Sequence, residues 1–147
     1  MKKLILGIGA AATLFSCGMP TPTDPDLTCD ASPAAATLAT NVQAVFDAKC
    51  KTCHIANYSY GDYTDATKTG AIVSKKSLYA GTSASLLVVD PKSLANSALW
   101  LKVLGGTSSG RAGPKGENVQ GKMPNDTTTL TAAEQKILKD WICGGAK

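Results

Sequence analysis

With 147 residues, 44% of them hydrophobic and 18% charged, the chain has the make-up of one compact domain with short extensions. Its formal charge of +4 falls to +2 once Lys2 and Lys3 are set aside with the leader described next. No dense Lys/Arg stripe with interleaved aromatics occurs, so no nucleic-acid partner is expected.

The chain opens with a processing signal. Lys2 and Lys3 precede a short apolar run, Leu4 to Phe15, too short to cross a bilayer comfortably as a permanent helix. The run ends Leu14-Phe15-Ser16-Cys17, which resembles the lipobox of bacterial lipoproteins. That resemblance implies cleavage of a signal peptide, residues 1–16, and acylation of Cys17. Several acyl chains anchor a protein to a membrane far more firmly than one. An ordinary signal peptide with a chance cysteine is the alternative. Gly18 stands where an aspartate would resemble an inner-membrane retention signal, which favours the outer membrane, with the domain in the periplasm or at the cell surface. Residues 17–35, with Pro20, Pro22, Pro25 and Pro33 among Thr and Asp, read as a flexible tether. The folded domain is expected over 36–147.

A first helix is expected from Thr37 or Thr40 to Lys49, where Val42, Val45 and Phe46 follow Leu38 at helical spacing. It leads into Cys50-Lys51-Thr52-Cys53-His54. Two thiols three positions apart can each form a thioether to a vinyl carbon of haem, and the imidazole after them can reach the iron. This is the C-x-x-C-H pattern of c-type haem attachment. A bare C-x-x-C also suits a redox dithiol or half of a zinc site. Zinc needs about four Cys/His ligands, and the chain has one histidine. A thioredoxin-like motif is expected near a βαβ pattern, whereas the residues before Cys50 read as helix. Phe46, one turn before Cys50, would face the same side and pack at the haem edge.

After a Tyr/Gly/Asp stretch, 58–63, Thr64 is placed to cap a helix reaching about Lys76, with Ala66, Ile72 and Val73 inside and Gly70 weakening it. Leu86 to Val89 is a short apolar run, extended or a helical turn, broken by Asp90-Pro91. Ser97 is expected to cap a helix over Ala98–Leu104, stopped by Gly105-Gly106, with Trp100 read as core. Residues 105–120 read as a loop. Gly121-Lys122-Met123-Pro124 follows. An iron held by one histidine needs a donor on its other face. With no second histidine, with Met1 in the leader and Met19 beside the anchor, Met123 is the candidate thioether ligand. Alone, a loop methionine would be read as packing. The chain closes on Thr131-Ala132-Ala133-Glu134, a capping box, followed by an apolar face of Ile137, Leu138, Trp141 and Ile142, with Gly144-Gly145 as the stop.

Five cysteines occur. Setting aside Cys17 for lipid and Cys50 and Cys53 for haem leaves Cys29 and Cys143. In an oxidising, exported location the two most simply form a disulfide; two free thiols are the alternative.

Together, Phe46-x-x-x-Cys50-x-x-Cys53-His54, Asn96-Ser97-x-Leu99, Gly121-x-Met123-Pro124 and the run from Leu130 to Trp141-Ile142-x-Gly144-Gly145-Ala146 resemble a class I cytochrome c domain, of the kind found in bacterial lipoproteins. The resemblance extends over nearly all of residues 37–146. It implies a small all-α, cytochrome c-like fold with terminal helices packed around one covalently attached haem c. It also implies His54 as proximal and Met123 as distal ligand of the iron. The family often carries a proline soon after the haem histidine, whose carbonyl accepts the imidazole Nδ1–H. None occurs here between His54 and Pro91, so that acceptor has no counterpart in the sequence.

The expected function is one-electron transfer between a redox-protein donor and acceptor, at a membrane reached through the lipid anchor. His/Met ligation favours ferrous iron and leaves it no open position, so no catalytic residue and no small-molecule substrate are expected. Asp62, Asp65 and Glu117 are scattered carboxylates without paired acid/base logic. Two other readings stand beside this one. The chain would be a haem subunit docked on a dehydrogenase or oxidase, or a ligand-binding haem sensor or peroxidase with a labile Met123.

Overall fold

The computed structural model describes residues 25–30, 32–56, 62–78, 86–105, 121–125 and 128–147. After a 3-10 turn at Pro25–Leu27, helical winding resumes at Leu38. The turn Leu38–Val42 is wound as π-helix and passes directly into helix α1, Gln43–Lys49. Val42, Val45 and Phe46 turn inward together with Gln43, while Ala44, Asp47 and Ala48 face out. Cys50 N donates to Phe46 O at 2.9 Å and closes the last turn.

Helix α2, Ala66–Gly70, is capped by Asp65, whose carboxylate accepts from Lys68 N at 3.0 Å. Thr64, the expected cap, instead donates its N–H and its hydroxyl to Asp62 Oδ1. The helix expected to reach Lys76 ends at Gly70. Ser74 adopts a left-handed φ of +58°, and beyond it the main chain pairs with a distant segment. Ser74 N donates to Val89 O at 2.8 Å, Val88 N to Lys75 O at 2.7 Å, and Ser77 N to Leu86 O at 3.0 Å. The carbonyls of Leu87 and Val88 then accept from Ala98 N and Leu99 N, which docks the first turn of helix α3, Ala98–Leu104. Ser97 stands at the N-cap of α3 but does not cap it. Its buried hydroxyl accepts from Asp90 N at 2.8 Å and donates to Ser93 O at 2.7 Å. Ser97 thus turns its hydroxyl to the 90–93 turn and makes no side-chain bond to the helix end.

This middle segment corrects the expectation of an all-α, cytochrome c-like fold built of terminal helices around one haem. The described residues are 41% helical, in four α-helices and shorter turns. The stretch 73–97 is held by isolated β-bridges, Val73 with Val89, Lys76 with Leu87, Leu87 with Ser97 and Asp90 with Ser93. Among the described residues, moreover, no group of three or more His, Cys, Asp or Glu side chains could hold a metal ion. The departure from helix has a physical cause. Buried main-chain donors must find acceptors somewhere, and those of residues 74–99 find many of theirs across the chain rather than one turn back.

Helix α4, Ala132–Cys143, begins with the capping box seen in the sequence. Thr131 Oγ1 accepts from Glu134 N at 3.2 Å and Glu134 Oε2 accepts from Thr131 N at 2.7 Å. Leu138, Trp141 and Ile142 are fully buried in a core shared with Val42, Phe46 and Val89. α4 packs on the π turn and on α3. We expect Thr131→Ala to cost about 1 kcal/mol of stability at neutral pH, measured by urea unfolding. The Thr131 backbone N–H is the chief cause holding the Glu134 carboxyl below its ordinary range. A folded-state pKa depressed in this way stabilises the fold above the ordinary glutamate value, and the benefit fades as pH falls through the lowered one. Alanine at 131 keeps that backbone N–H, so the cost of Thr131→Ala should stay nearly constant through that acid window, whereas Glu134→Gln should remove most of the pH dependence.

Residues 25–30 lie against the body. Pro25–Leu27 forms a 3-10 turn, Trp100 Nε1 donates to Asp26 O at 2.7 Å, and Leu27 packs on the core. A disulfide joins Cys29 to Cys143 with an S–S distance of 2.01 Å, and Lys139 reaches Asp30 at 3.6 Å.

Candidate functional site

The end of α1 delivers the first thiol. Cys50 is its C-cap, and the Cys50 carbonyl accepts from both Cys53 N at 3.2 Å and His54 N at 2.9 Å. One turn therefore carries all three residues. Cys50 is half-buried, Cys53 exposed, and both are free thiols, in a chain where Cys29 and Cys143 are bridged.

His54 is buried, with 8% of its surface exposed. Tyr63 holds it in two ways. Tyr63 N donates to His54 O at 3.1 Å, and the two rings stack with centroids 4.5 Å apart and 23° between planes. The chain of rings continues inward. Tyr63 meets Phe46 at 4.8 Å, and Phe46 meets Trp141 edge-on at 6.3 Å. Gln43 fixes the Tyr63 backbone, its Nε2 donating to Tyr63 O at 3.1 Å while its Oε1 accepts from Thr69 Oγ1 at 2.8 Å. The imidazole is thus set by α1, α2 and α4 together. Sequence reasoning missed Tyr63 and Gln43. A signal for Gln43 existed, because an amide among Val42, Val45 and Phe46 on the inward face needs buried partners.

Burial pushes the Cys50 thiol up to about 12, with the neighbouring Cys53 and Glu134 adding to the effect. The Tyr63 phenol is raised mainly by burial as well, then by Cys50. A nucleophilic redox dithiol needs the reverse, a thiol held below its ordinary range.

Met123 comes from a separate segment, held on α3 rather than on the 50–54 turn. Its N–H donates to Lys102 O at 3.0 Å, and a cis peptide bond joins it to the buried Pro124. Two residues earlier, Gly121 has a left-handed φ of +73°, which suits glycine. Lys102 Nζ donates to the Gly121 carbonyl at 3.4 Å, and burial lowers the pKa of that ammonium. Cys17 lies outside the described residues, as does Glu117.

A bare zinc ion asks the chain for about four donors, and the described residues do not gather them. The residue types present are ones that could hold haem c. That group brings its own equatorial nitrogens and asks the protein for two thiols and axial donors. Cys50 and Cys53 are unbonded thiols on one turn, His54 follows them directly, and Met123 offers a thioether from another segment. An open cleft of about 270 Å³ lies elsewhere, between Asp26, Asp30, Trp100 and the Lys136–Lys139 face of α4, and none of the four donors lines it.

Among the described residues no helix is long and apolar enough to cross a membrane. No family of known proteins, no curated protein and no solved structure matches this chain.

Proposed function

We propose that the chain is a monohaem c-type electron carrier, akin in its motifs to class I cytochromes c and exported as a lipoprotein. One observation carries the reading. Two unbonded thiols and a buried imidazole share the 50–54 turn, while the other two described cysteines are joined to each other. Haem c supplies the one-electron couple of its iron. Cys50 and Cys53 would hold the group covalently, His54, kept in place by Tyr63, would be its nitrogen donor, and Met123 would be its thioether donor. With both axial positions taken the chain has no catalytic role of its own.

Electrons enter and leave near the exposed Cys53. Ile55, with 58% of its surface exposed, adds an apolar contact there. Weak redox encounters use small interfaces, which this patch suits. The donor and acceptor are redox proteins reached at a membrane, the outer membrane favoured, with Cys17 carrying the lipid and the domain in the periplasm or at the cell surface.

The test is visible spectroscopy of the mature protein, made with haem-maturation machinery, beside Met123→Ala. Wild type should show a sulfur-to-ferric-iron band that is wholly absent from the variant, with a large fall in reduction potential. Wild-type iron that is already five-coordinate and binds CO readily would reject the carrier reading in favour of a ligand-binding protein.

A further inference from the structure

Helix α3 is buried along Ala98–Val103, and Lys102 is the charged residue in that run, with 9% of its surface exposed. An ammonium among Leu101, Val103 and their neighbours costs free energy unless polar partners receive it. The backbone and side chain of this one residue meet the segment that carries Met123 at two points. Lys102 O accepts from Met123 N at 3.0 Å, and Lys102 Nζ donates to Gly121 O at 3.4 Å. Any residue at position 102 would present the carbonyl; the second grip is specific to a long cationic side chain. The same carbonyl also accepts from Gly105 N at 3.3 Å, so the end of α3 and the 121–123 segment meet at Lys102.

We infer that Lys102 is a positioning residue for Met123. Its ammonium fixes the Gly121 carbonyl, sets the course of residues 121–123 and thereby aims the Met123 thioether at the iron. This rests on the haem-carrier reading above. Without the second grip, the ligand segment loses one of its two described bonds to Lys102, and an external ligand displaces the thioether more easily.

The experiment compares haem-loaded wild type, Lys102→Met and Lys102→Arg by imidazole titration of the sulfur–iron band and by amide hydrogen exchange in the ferrous form. In Lys102→Met we expect imidazole to bind about tenfold more tightly, the size that losing one charge-assisted hydrogen bond implies. The Met123 amide should exchange faster by a similar factor while amides of α1 and α4 keep their wild-type rates. Lys102→Arg, which retains a cationic donor, should return both readouts toward wild type. Unchanged imidazole affinity and Met123 exchange in Lys102→Met would overturn the inference and leave the carrier reading standing. Faster exchange throughout the protein would mean that Lys102 serves general packing, and would also overturn it. A wild type with no sulfur–iron band would remove the carrier reading itself, and this inference with it.

Discussion

Phe46→Ala is expected to lower the unfolding free energy by about 3–5 kcal/mol, the range for deleting a fully buried aromatic side chain. Phe46 is entirely shielded from solvent and stands between Tyr63 and Trp141. Its removal takes away apolar burial and leaves a cavity whose lining side chains lose contacts. The effect should also reach the site. Tyr63, which stacks on His54, loses the ring behind it, so the imidazole should gain motion in proportion to the lost packing. Urea unfolding measures the first effect, and ring-proton line shapes of His54 measure the second. A loss under about 1 kcal/mol would mean the core closes over the gap. Unaltered His54 signals would mean that Gln43 and the Tyr63 main chain position the ring without help from Phe46.

The second large effect concerns the Cys29–Cys143 bridge. Cys29→Ser should destabilise the fold by about 5 kcal/mol on the chain-entropy account, because the bond closes a separation of 114 residues. The local contacts add a second consequence. Asp26 and Leu27 sit on Trp100 and the core and Lys139 reaches Asp30, and with the bond gone residues 25–30 lose their covalent tie to α4 and are held by non-covalent contacts. Trp100 should then become more accessible, seen as a red shift and stronger quenching of its fluorescence, with Trp100→Phe as the control that removes the signal. A stability loss below about 1 kcal/mol would show that the segment stays docked without the bond, or that the unfolded chain is already compact there.

How far the sequence alone reveals these features depends on the range of the interaction. The start of α4 was readable because Thr131 and Glu134 satisfy each other within four residues, and the stop at Gly144-Gly145 is equally local. The turn that carries Cys50, Cys53 and His54 is local in the same way, a contiguous run of five residues. Helix α2 was overextended because nothing local in Ile72 to Lys76 reveals that Leu86 to Val89 will take their hydrogen bonds. The cap of α3 was misassigned because Ser97 has the right residue type, but its hydroxyl is claimed by Asp90 and Ser93. The all-α expectation came with the family resemblance, and isolated bridges of one or two residues leave no period-2 pattern in the sequence to oppose it. At the site, the stack of Tyr63 on His54 joins residues nine positions apart without helical or strand spacing, so no periodicity could announce it.

The docking of residues 25–30 also limits how far the domain can roam. Were the whole of 17–35 slack, an anchor at Cys17 would allow a radius of roughly 60 Å at full extension. With Asp26 held by Trp100 and Cys29 by Cys143, the proposed lipid on Cys17 would stand no more than eight peptide links from Pro25, about 29 Å at full extension. A lipidated protein on so short a leash searches a thin shell above the bilayer. Its partners would then be other occupants of that surface, met at the high local concentration a short tether enforces, rather than proteins standing across a wide compartment.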